Sequence, residues 1–401
     1  MKHFLFDQID SWFFKEARSM DNSGAAGRDS IFPPPSKTLL GAIRHQIGCR
    51  FHQEHNTNWS NFAEDACSGL RAIIGDNSSY ASLQAEGVWL FNTKEQQLYF
   101  PLPANLLKQD EPGTPPYTFF SLGKAVCCDL GTVHLPAMDF NKKQGTLENA
   151  WISAAQFSQV LTGQAPASIL PAHDLFATEP RLGIGLNRDT RTVQQGLLFL
   201  TRHLRLRQGW SLYLGVEGIA EETTKKYVPG NTLLRLGGEG RMARSTLMDC
   251  APALPQAPAL DTITPTDWLV LYLITPLPDW RGPEQKNMPP LPGKNFEPLQ
   301  DQDSHAATFW RGTLCGLEMD IISAVVGKVE RIGGWDLAKH QSTPVKSYLP
   351  AGSCWYIRPG NIEQARKIIT ALHGKYLTSG PERALGLGHV LIGTIPAPLP
   401  D

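Results

Sequence analysis

Long apolar runs are missing from this 401-residue chain. The longest candidate, Trp268 to Ile274, has the length of a strand, and nothing approaches the roughly 20 apolar residues of a membrane helix. The N-terminal run around Phe4-Leu5-Phe6 is too short for a signal peptide. Both absences exclude a helical membrane protein and lead to the expectation of a cytoplasmic one. A surplus of one charge sign is missing too: the formal net charge is -1 and charged residues make up 19%. A uniformly basic nucleic-acid binder is thereby excluded. Cysteines are few and unpatterned, at positions 49, 67, 127, 128, 250, 315 and 354. An odd count without a C-x-x-C pair fits reduced thiols. A zinc site built on Cys127 and Cys128 is discounted. G-x-S-x-G, H-x-x-x-H and a convincing carboxylate pair are all absent, so no complete catalytic set, metal site or cofactor site is expected.

Glycine (36) and proline (31) are plentiful, and 41% of residues are hydrophobic. The length suggests two domains, and the composition suits a loop-rich α+β chain. His3 to Ile9 reads as a short strand. Phe32-Pro33-Pro34-Pro35-Ser36 then opens a helix whose Leu39, Leu40, Ile43 and Ile47 share one face. Residues of about 50–175 hold a strand pair at Val88–Phe91 and Gln97–Phe100 and read as an insertion. Alternation between Leu198 and Arg207, the turn Gln208-Gly209, and the apolar series Trp210, Leu212, Leu214 and Val216 predict a β-hairpin over 198–216. Its outer face carries His203, Arg205 and Arg207. Pro252, Pro255, Pro258 and Pro265 mark a linker, which gives expected boundaries of 1–250, 251–266 and 267–401. Trp268 to Ile274, apolar on both faces, predicts a central strand covered on each side. Near the C-terminus, a strand at Ser353 to Arg358 precedes a helix capped by Asn361 and Gln364. A Gly-rich return through Leu387 to Gly393 follows, which is the second half of a ferredoxin-like unit.

Charge is unevenly placed. Residues 181–244 hold eleven cations and five anions, a surplus of six in a chain whose total is -1. Arginine dominates: Arg181, Arg188, Arg191, Arg202, Arg205, Arg207, Arg235, Arg241 and Arg244. Guanidinium groups bind phosphate bidentately and stack on bases. The Gly-rich loop Leu236-Gly237-Gly238-Glu239-Gly240-Arg241 lies among them. Glycines let backbone N–H groups approach an anion, and Arg235, Arg241 and Arg244 favour that reading over a plain turn. The run Arg181-Leu182-Gly183-Ile184-Gly185-Leu186 fails as a dinucleotide fingerprint, because Arg188 stands where the third glycine belongs. His389, beside a Gly-rich loop, is the one candidate for acid–base chemistry, as in a metal-independent endoribonuclease. A histidine packed at a strand start is the commoner reading.

These residues resemble a known family. Trp12-Phe13-Phe14-Lys15-Glu16-Ala17-Arg18, the Pro-rich helix entry through Arg44, Arg181-Leu182-Gly183-Ile184 with Asp189-Thr190 and Gly196 to Phe199, and the 235–241 loop stand in the order seen in RAMP proteins of CRISPR systems. Ala351 to Tyr356 and Leu387 to Gly393 complete the series. Within that superfamily the chain resembles the third subunit of the Cmr (type III-B) effector complex. The resemblance implies two ferredoxin-like (RRM-like) domains with antiparallel sheets, the first carrying large insertions and a β-hairpin. It implies a non-catalytic subunit that grips the 5′ repeat-derived tag of the crRNA, partly with a protruding hairpin. The expected neighbours are the large palm-domain subunit and a backbone RAMP subunit. Carried over, Arg181, Asn187, Arg188 and Arg191 are expected on the tag and Gly237, Gly238 and Arg241 along its phosphates, with Lys37 and Arg44 on the helix as further contacts. The alternatives are the endoribonuclease and a protein-only scaffold whose arginine face meets an acidic partner.

Overall fold

The computed structural model describes residues 1–15, 27–76, 79–139, 141–187, 189–190, 192–282, 285, 288–300, 307–336 and 341–396. It is a mixed α/β structure dominated by two antiparallel sheets.

The first sheet has eight strands. In spatial order they are Leu170–Pro171, Ala150–Ser153, Gln97–Pro101, Gln84–Asn92, Trp210–Glu217, Lys2–Gln8, Met242–Leu247 and Thr232–Arg235. Successive side chains on a strand point to opposite faces, and the first strand uses both. Phe4 and Phe6 join a core with Leu39, Leu40, Ile43 and Ile47 of the long helix Ser36–His55, while Leu5 packs into a different core on the other side. The short helix Glu221–Tyr227 covers the same face as the long one, through Tyr227.

The second sheet has seven strands, ordered Phe296–Gln300, Thr308–Leu314, Leu317–Val325, Cys354–Arg358, Asp267–Leu273, His389–Pro396 and Lys375–Tyr376. Its central strand is buried on both faces. Leu269, Leu271 and Leu273 meet Ala365, Ile368, Ile369 and Leu372 of the helix Ile362–Leu372. Val270 and Tyr272 instead enter a middle core with Trp89, Phe91, Phe100 and Tyr213 of the first sheet. The two sheets are therefore stacked, with helices outside each, and the middle core belongs to both.

The stretch expected as an insertion does two things. Gln84–Asn92, Gln97–Pro101 and Ala150–Ser153 are integral strands of the first sheet. Between them a hairpin, Ser121–Cys128 with Gly131–Ala137, reaches across to the second sheet. There Val133 is buried beside Met319 and Ile321, and the Ser323 hydroxyl donates to the His134 carbonyl at 2.8 Å. The Pro-rich segment 251–266 also lies against the body: Gln256 N–H donates to the Ser158 hydroxyl at 3.0 Å, and Arg366 Nε donates to the Leu260 carbonyl at 2.9 Å.

The two capped helix starts are built differently. Pro35, not a hydroxyl, occupies the cap position of the long helix, and the Ser36 hydroxyl turns away to donate to the Leu385 carbonyl at 2.6 Å. That bond belongs to a joint between the halves. Arg383 Nη1 donates to the Ala85 carbonyl at 3.1 Å and the Tyr376 hydroxyl to the Glu86 carbonyl at 2.9 Å. At Gly386 (φ +67°) a Cβ would lie 2.6 Å from the Ala85 carbonyl oxygen, so only glycine lets the backbones meet. The C-terminal helix starts as expected, with the Asn361 side chain accepting from Gln364 N–H at 2.8 Å.

The hairpin expected over 198–216 is corrected. Trp210–Glu217 pairs with Lys2–Gln8 and Gln84–Asn92 inside the first sheet. Val193–Leu206 pairs instead with Phe176–Leu186. The turn at 207–210 hands the chain from one sheet to another, because alternation fixes which face is buried but not which strand lies alongside. The true hairpin is longer and spans 176–206.

Candidate nucleic-acid interface

The 176–206 hairpin is a ribbon that leaves the first sheet, flanked partway along by the two-residue strand Gly27–Arg28, which pairs parallel to it at Leu200 and Thr201. Its root is tied by reciprocal backbone bonds between Trp12 and Leu204 (2.8 and 2.7 Å) and by the Gln8 side chain, which bonds both backbone groups of Leu206. Phe176 packs on Phe32 with ring centroids 4.9 Å apart. At the far end Asn187 N–H donates to the Thr192 carbonyl at 2.9 Å, and the Asn187 side chain accepts from Asp189 N–H at 2.9 Å, closing the tip.

Cross-strand partners share a face, and the register pairs Leu182 with Leu200, Ile184 with Leu198 and Leu186 with Val193. That face is apolar, yet it is open. Leu182 is 76% exposed, Ile184 51%, Leu186 55%, Val193 60% and Leu198 49%. Monomeric proteins seldom leave such a contiguous stripe uncovered unless something binds it. On the opposite face Phe199 lies over Gly183, where a Cβ would stand 2.4 Å from the ring, so that glycine serves packing.

Arginines gather at the ribbon's foot, but around carboxylates of the protein itself. Asp10 accepts from Arg181 Nη2 at 3.2 Å, Arg205 Nη2 at 2.9 Å and Arg241 Nη1 at 2.7 Å. Glu179 accepts from Arg181 and Arg205, each at 2.8 Å. Glu239 lies 3.6 Å from Arg241 Nη2 and 3.0 Å from His203 Nε2, while His203 Nδ1 sits within 3.2 Å of the Ser11 hydroxyl. The Arg205 hydrogen bond, followed by Arg181, pulls the Asp10 pKa down to about 2. Burial pushes the pKa of His203 down against the opposing pull of Glu239, and around the ring three arginines face three carboxylates.

The expected RNA contacts are thus sorted by geometry. Arg181 and Arg241 belong to this network. Gly237 and Gly238 approach Phe13, whose carbonyl accepts from Gly238 N–H at 2.7 Å; Gly237 (φ +93°) has the left-handed backbone that glycine favours. Arg44 donates to the Ile74 carbonyl and the Asp76 carbonyl, both at 2.7 Å, and stacks on Tyr80 at 4.9 Å. Lys37 lies half-buried against Gly334, its pKa lowered by burial and by Lys346. Asn187 is at the tip. Arg188 and Arg191 lie outside the described residues. Arg235 and Arg244 are exposed, without a carboxylate partner among the described residues, on neighbouring strands of the first sheet. Elsewhere in the stripe Arg202 pairs with Asp29 at 2.7 Å, Lys226 with Glu54, and Arg207 donates to the His173 carbonyl.

His389 is buried. It stacks on Tyr376 with centroids 4.2 Å apart and lies 5.6 Å from Trp89, and burial pushes its pKa down to about 3. A side chain so enclosed does not meet a substrate. The exposed stripe of the ribbon is the feature that the sequence reading missed. Its signal was the alternation Leu182, Ile184, Leu186 opposite Gly183 and Gly185, which marks a strand but reads as an inward face.

Arg44→Met is expected to lower stability by about 1–3 kcal/mol, because two backbone carbonyls lose charge-assisted donors. RNA affinity stays unchanged. Denaturant titration checks the first and binding the second.

Comparison with known proteins places the chain. No curated protein matches it in sequence. In fold, a chain of the cryo-EM structure of the type III-B Cmr-β complex bound to cognate target RNA and AMPPnP is similar at 13% identity and a TM-score of 0.47, over 92% of this chain and 87% of that one. A chain of the Csm3–Csm4 subcomplex of the type III-A CRISPR–Cas interference complex is similar at 10% identity and a TM-score of 0.37, over 88% and 92%. The family described as CRISPR-associated protein (Cas_Cmr3) matches residues 5–395, so the chain belongs to that family.

Proposed function

We propose that this chain is a non-catalytic RNA-binding subunit of a type III-B CRISPR effector complex. In this reading it holds the 5′ repeat-derived tag of the crRNA and docks the large palm-domain subunit and a neighbouring backbone RAMP subunit. One observation carries it: the anchored ribbon presents an apolar stripe that no described residue covers, leading to a tip closed between Asn187 and Thr192. Apolar side chains pack against base faces without reading sequence, and in this reading Arg188 and Arg191, which stand between those two residues in the sequence, supply phosphate contacts. Arg235 and Arg244 extend the basic surface. Arg181, Arg241 and Gly238 serve the ribbon's attachment through their bonds to Glu179, Asp10 and the Phe13 carbonyl, and Gly237 supplies the left-handed turn beside them.

The strand orders support two ferredoxin-like units. Numbering the four strands of such a unit by sequence, the middle of the first sheet runs 2-3-1-4, with the helix Ser36–His55 between the first and second and Glu221–Tyr227 between the third and fourth. In the second sheet, strands starting at residues 317, 354, 267 and 389 give the same order, with Ile362–Leu372 between the third and fourth. We take 1–250 and 267–401 as the two domains, with the shared middle core joining them. The burial of His389 removes the motive for an endoribonuclease and supports a non-catalytic role. No described helix is long and apolar enough to cross a membrane, and the proposed location is the cytoplasm.

The test is tag-RNA binding by the assembled complex across a salt series. Leu182→Ser with Ile184→Ser and Leu198→Ser is expected to weaken binding about tenfold with little change in salt slope, as loss of stacking does. Arg235→Ala and Arg244→Ala are each expected to flatten the slope by about 0.7, the value for one phosphate contact on a single strand. Unchanged affinity in the ribbon variant together with unchanged slopes would overturn the reading. If the complex also assembles normally after RNase treatment, the protein-only scaffold takes its place.

A further inference from the structure

We infer that Lys37, Lys346 and Thr343 form a phosphate-binding site between the start of the helix Ser36–His55 and a hairpin from the second half of the chain. Guide RNA as the source of that phosphate rests on the RNA-binding reading above; the site itself does not.

The hairpin consists of the strands Glu330–Asp336 and Gln341–Leu349, which form a small separate sheet with Leu277–Pro278. Cross-strand partners share a face. The register pairs Gly334 with Thr343 and Ile332 with Lys346, and slips by one residue between the two pairs. Residues 343 and 346 would point to opposite faces of a regular strand. The bulge turns both to the face of Gly334. Lys37 reaches that face from the helix. A Cβ at Gly334 would stand 2.4 Å from Lys37 Nζ, 2.8 Å from its Cε and 3.2 Å from the Thr343 hydroxyl oxygen. Glycine thus leaves the room that the ammonium occupies beside the hydroxyl.

The described residues do not neutralise this corner. Lys37 has no carboxylate partner among them, and the other charge that acts on it, Lys346, has the same sign. Glu382 engages Lys346 at 3.1 Å, which sets one carboxylate against two ammonium groups. The Thr343 hydroxyl oxygen is shut off from solvent and has no hydrogen-bond partner among the described residues. Lys37 also stands in the first turn of a 20-residue helix that has no acidic residue there, where the macrodipole disfavours a cation. A lysine kept for packing lays its methylene stem on the protein and leaves its ammonium in water. Here the ammonium lies closer to the Gly334 position than Cε does. An anion that accepts from both lysines and the hydroxyl offsets each of these costs. Phosphate suits the donor set, because lysines bind it as point charges and its oxygens accept from several directions.

The experiment records thermal midpoints of the complete chain, without RNA, as inorganic phosphate replaces chloride at constant ionic strength. General salt effects act on all variants alike and cancel in the comparison. Lys37→Met removes the ammonium, and Gly334→Ala puts a methyl group in its place. Lys367→Met is the control, on the helix Ile362–Leu372, where that lysine pairs with Glu363 at 2.9 Å. At ten times the dissociation constant, the native chain and the control are expected to rise about 2 °C more than the two site variants. Should one site variant not fold, the other decides. Equal rises in all four proteins would sink the inference, and impaired assembly of the complex by Lys37→Met would then identify a partner's carboxylate as the occupant. A second arm measures tag-RNA binding by the assembled complex, where Lys37→Met is expected to flatten the salt slope by about 0.7. An excess rise with an unchanged slope supports the site with free phosphate as its ligand. Because the phosphate series contains no RNA, it holds or fails apart from the RNA-binding reading.

Discussion

Trp89→Ala is expected to cost about 3–5 kcal/mol and to divide one thermal transition into two. Trp89 is fully enclosed in the middle core, which neither sheet owns alone. Its ring stacks on Tyr213 with centroids 5.8 Å apart and packs on Phe100 at 5.0 Å, both in the first sheet. Its Nε1 donates to the Ile274 carbonyl at 3.3 Å, on the segment that leaves the second sheet's central strand. Truncation therefore opens a large cavity where the halves meet, and the outer cores stay intact. Calorimetry checks the splitting and denaturant titration the size. Trp355→Ala serves as the comparison, since Trp355 lies in the outer core of the second sheet and its Nε1 donates to the Pro290 carbonyl at 2.7 Å. It is expected to cost a similar amount without separating the halves. A native-like, single transition in Trp89→Ala would contradict the shared core.

The second large effect is on acid stability. His389 has a folded pKa of about 3, set first by burial, against an ordinary value of 6.5. Below pH 6.5 the unfolded chain takes up a proton at this position and the folded chain does not. The stabilisation is thus complete above 6.5 and falls as the pH drops toward 3, at up to about 1.4 kcal/mol per unit. Between pH 6.5 and 5 the loss is about 2 kcal/mol. His389→Leu is expected to remove that part of the slope, whatever it does to stability at pH 7. His3, His45, His52, His203 and His373 are also lowered by burial, so the variant keeps a residual slope. Denaturation midpoints at pH 7 and pH 5 provide the measurement; equal slopes in the two proteins would show that the ring is not held neutral by its surroundings.

What the sequence disclosed depends on how local the cause was. The strand at Lys2–Gln8, the long helix and the final strand–helix–strand are written in periodicity and caps that neighbours determine. The double-sided burial of Trp268–Ile274 was legible for the same reason. Strand partners were not. Leu198–Leu206 and Trp210–Val216 are joined by a good turn and alternate in step, yet one pairs with residues 176–186 and the other with residues 2–8 and 84–92. Local pattern carries no label for a strand far away in the chain. The basic stripe misled in a related way. Counting charges found a surplus of six between 181 and 244, but the carboxylate that engages three of those arginines is Asp10, about 170 residues earlier for Arg181. The apolar stripe on the ribbon has the alternation of an inward face, and only the fold reveals that no described residue covers it.

The shared middle core has a consequence for synthesis. A ribosome releases the first domain with Trp89, Phe91, Phe100 and Tyr213 already in place, while Val270, Tyr272, Tyr356 and Leu391, which cover them, are still unmade. Until Leu391 emerges, the nascent chain exposes an aromatic surface suited to aggregation or to capture by a holdase chaperone. Translation that stalls before residue 391 leaves that surface bare, so truncated products are expected to precipitate although most of their strands are present.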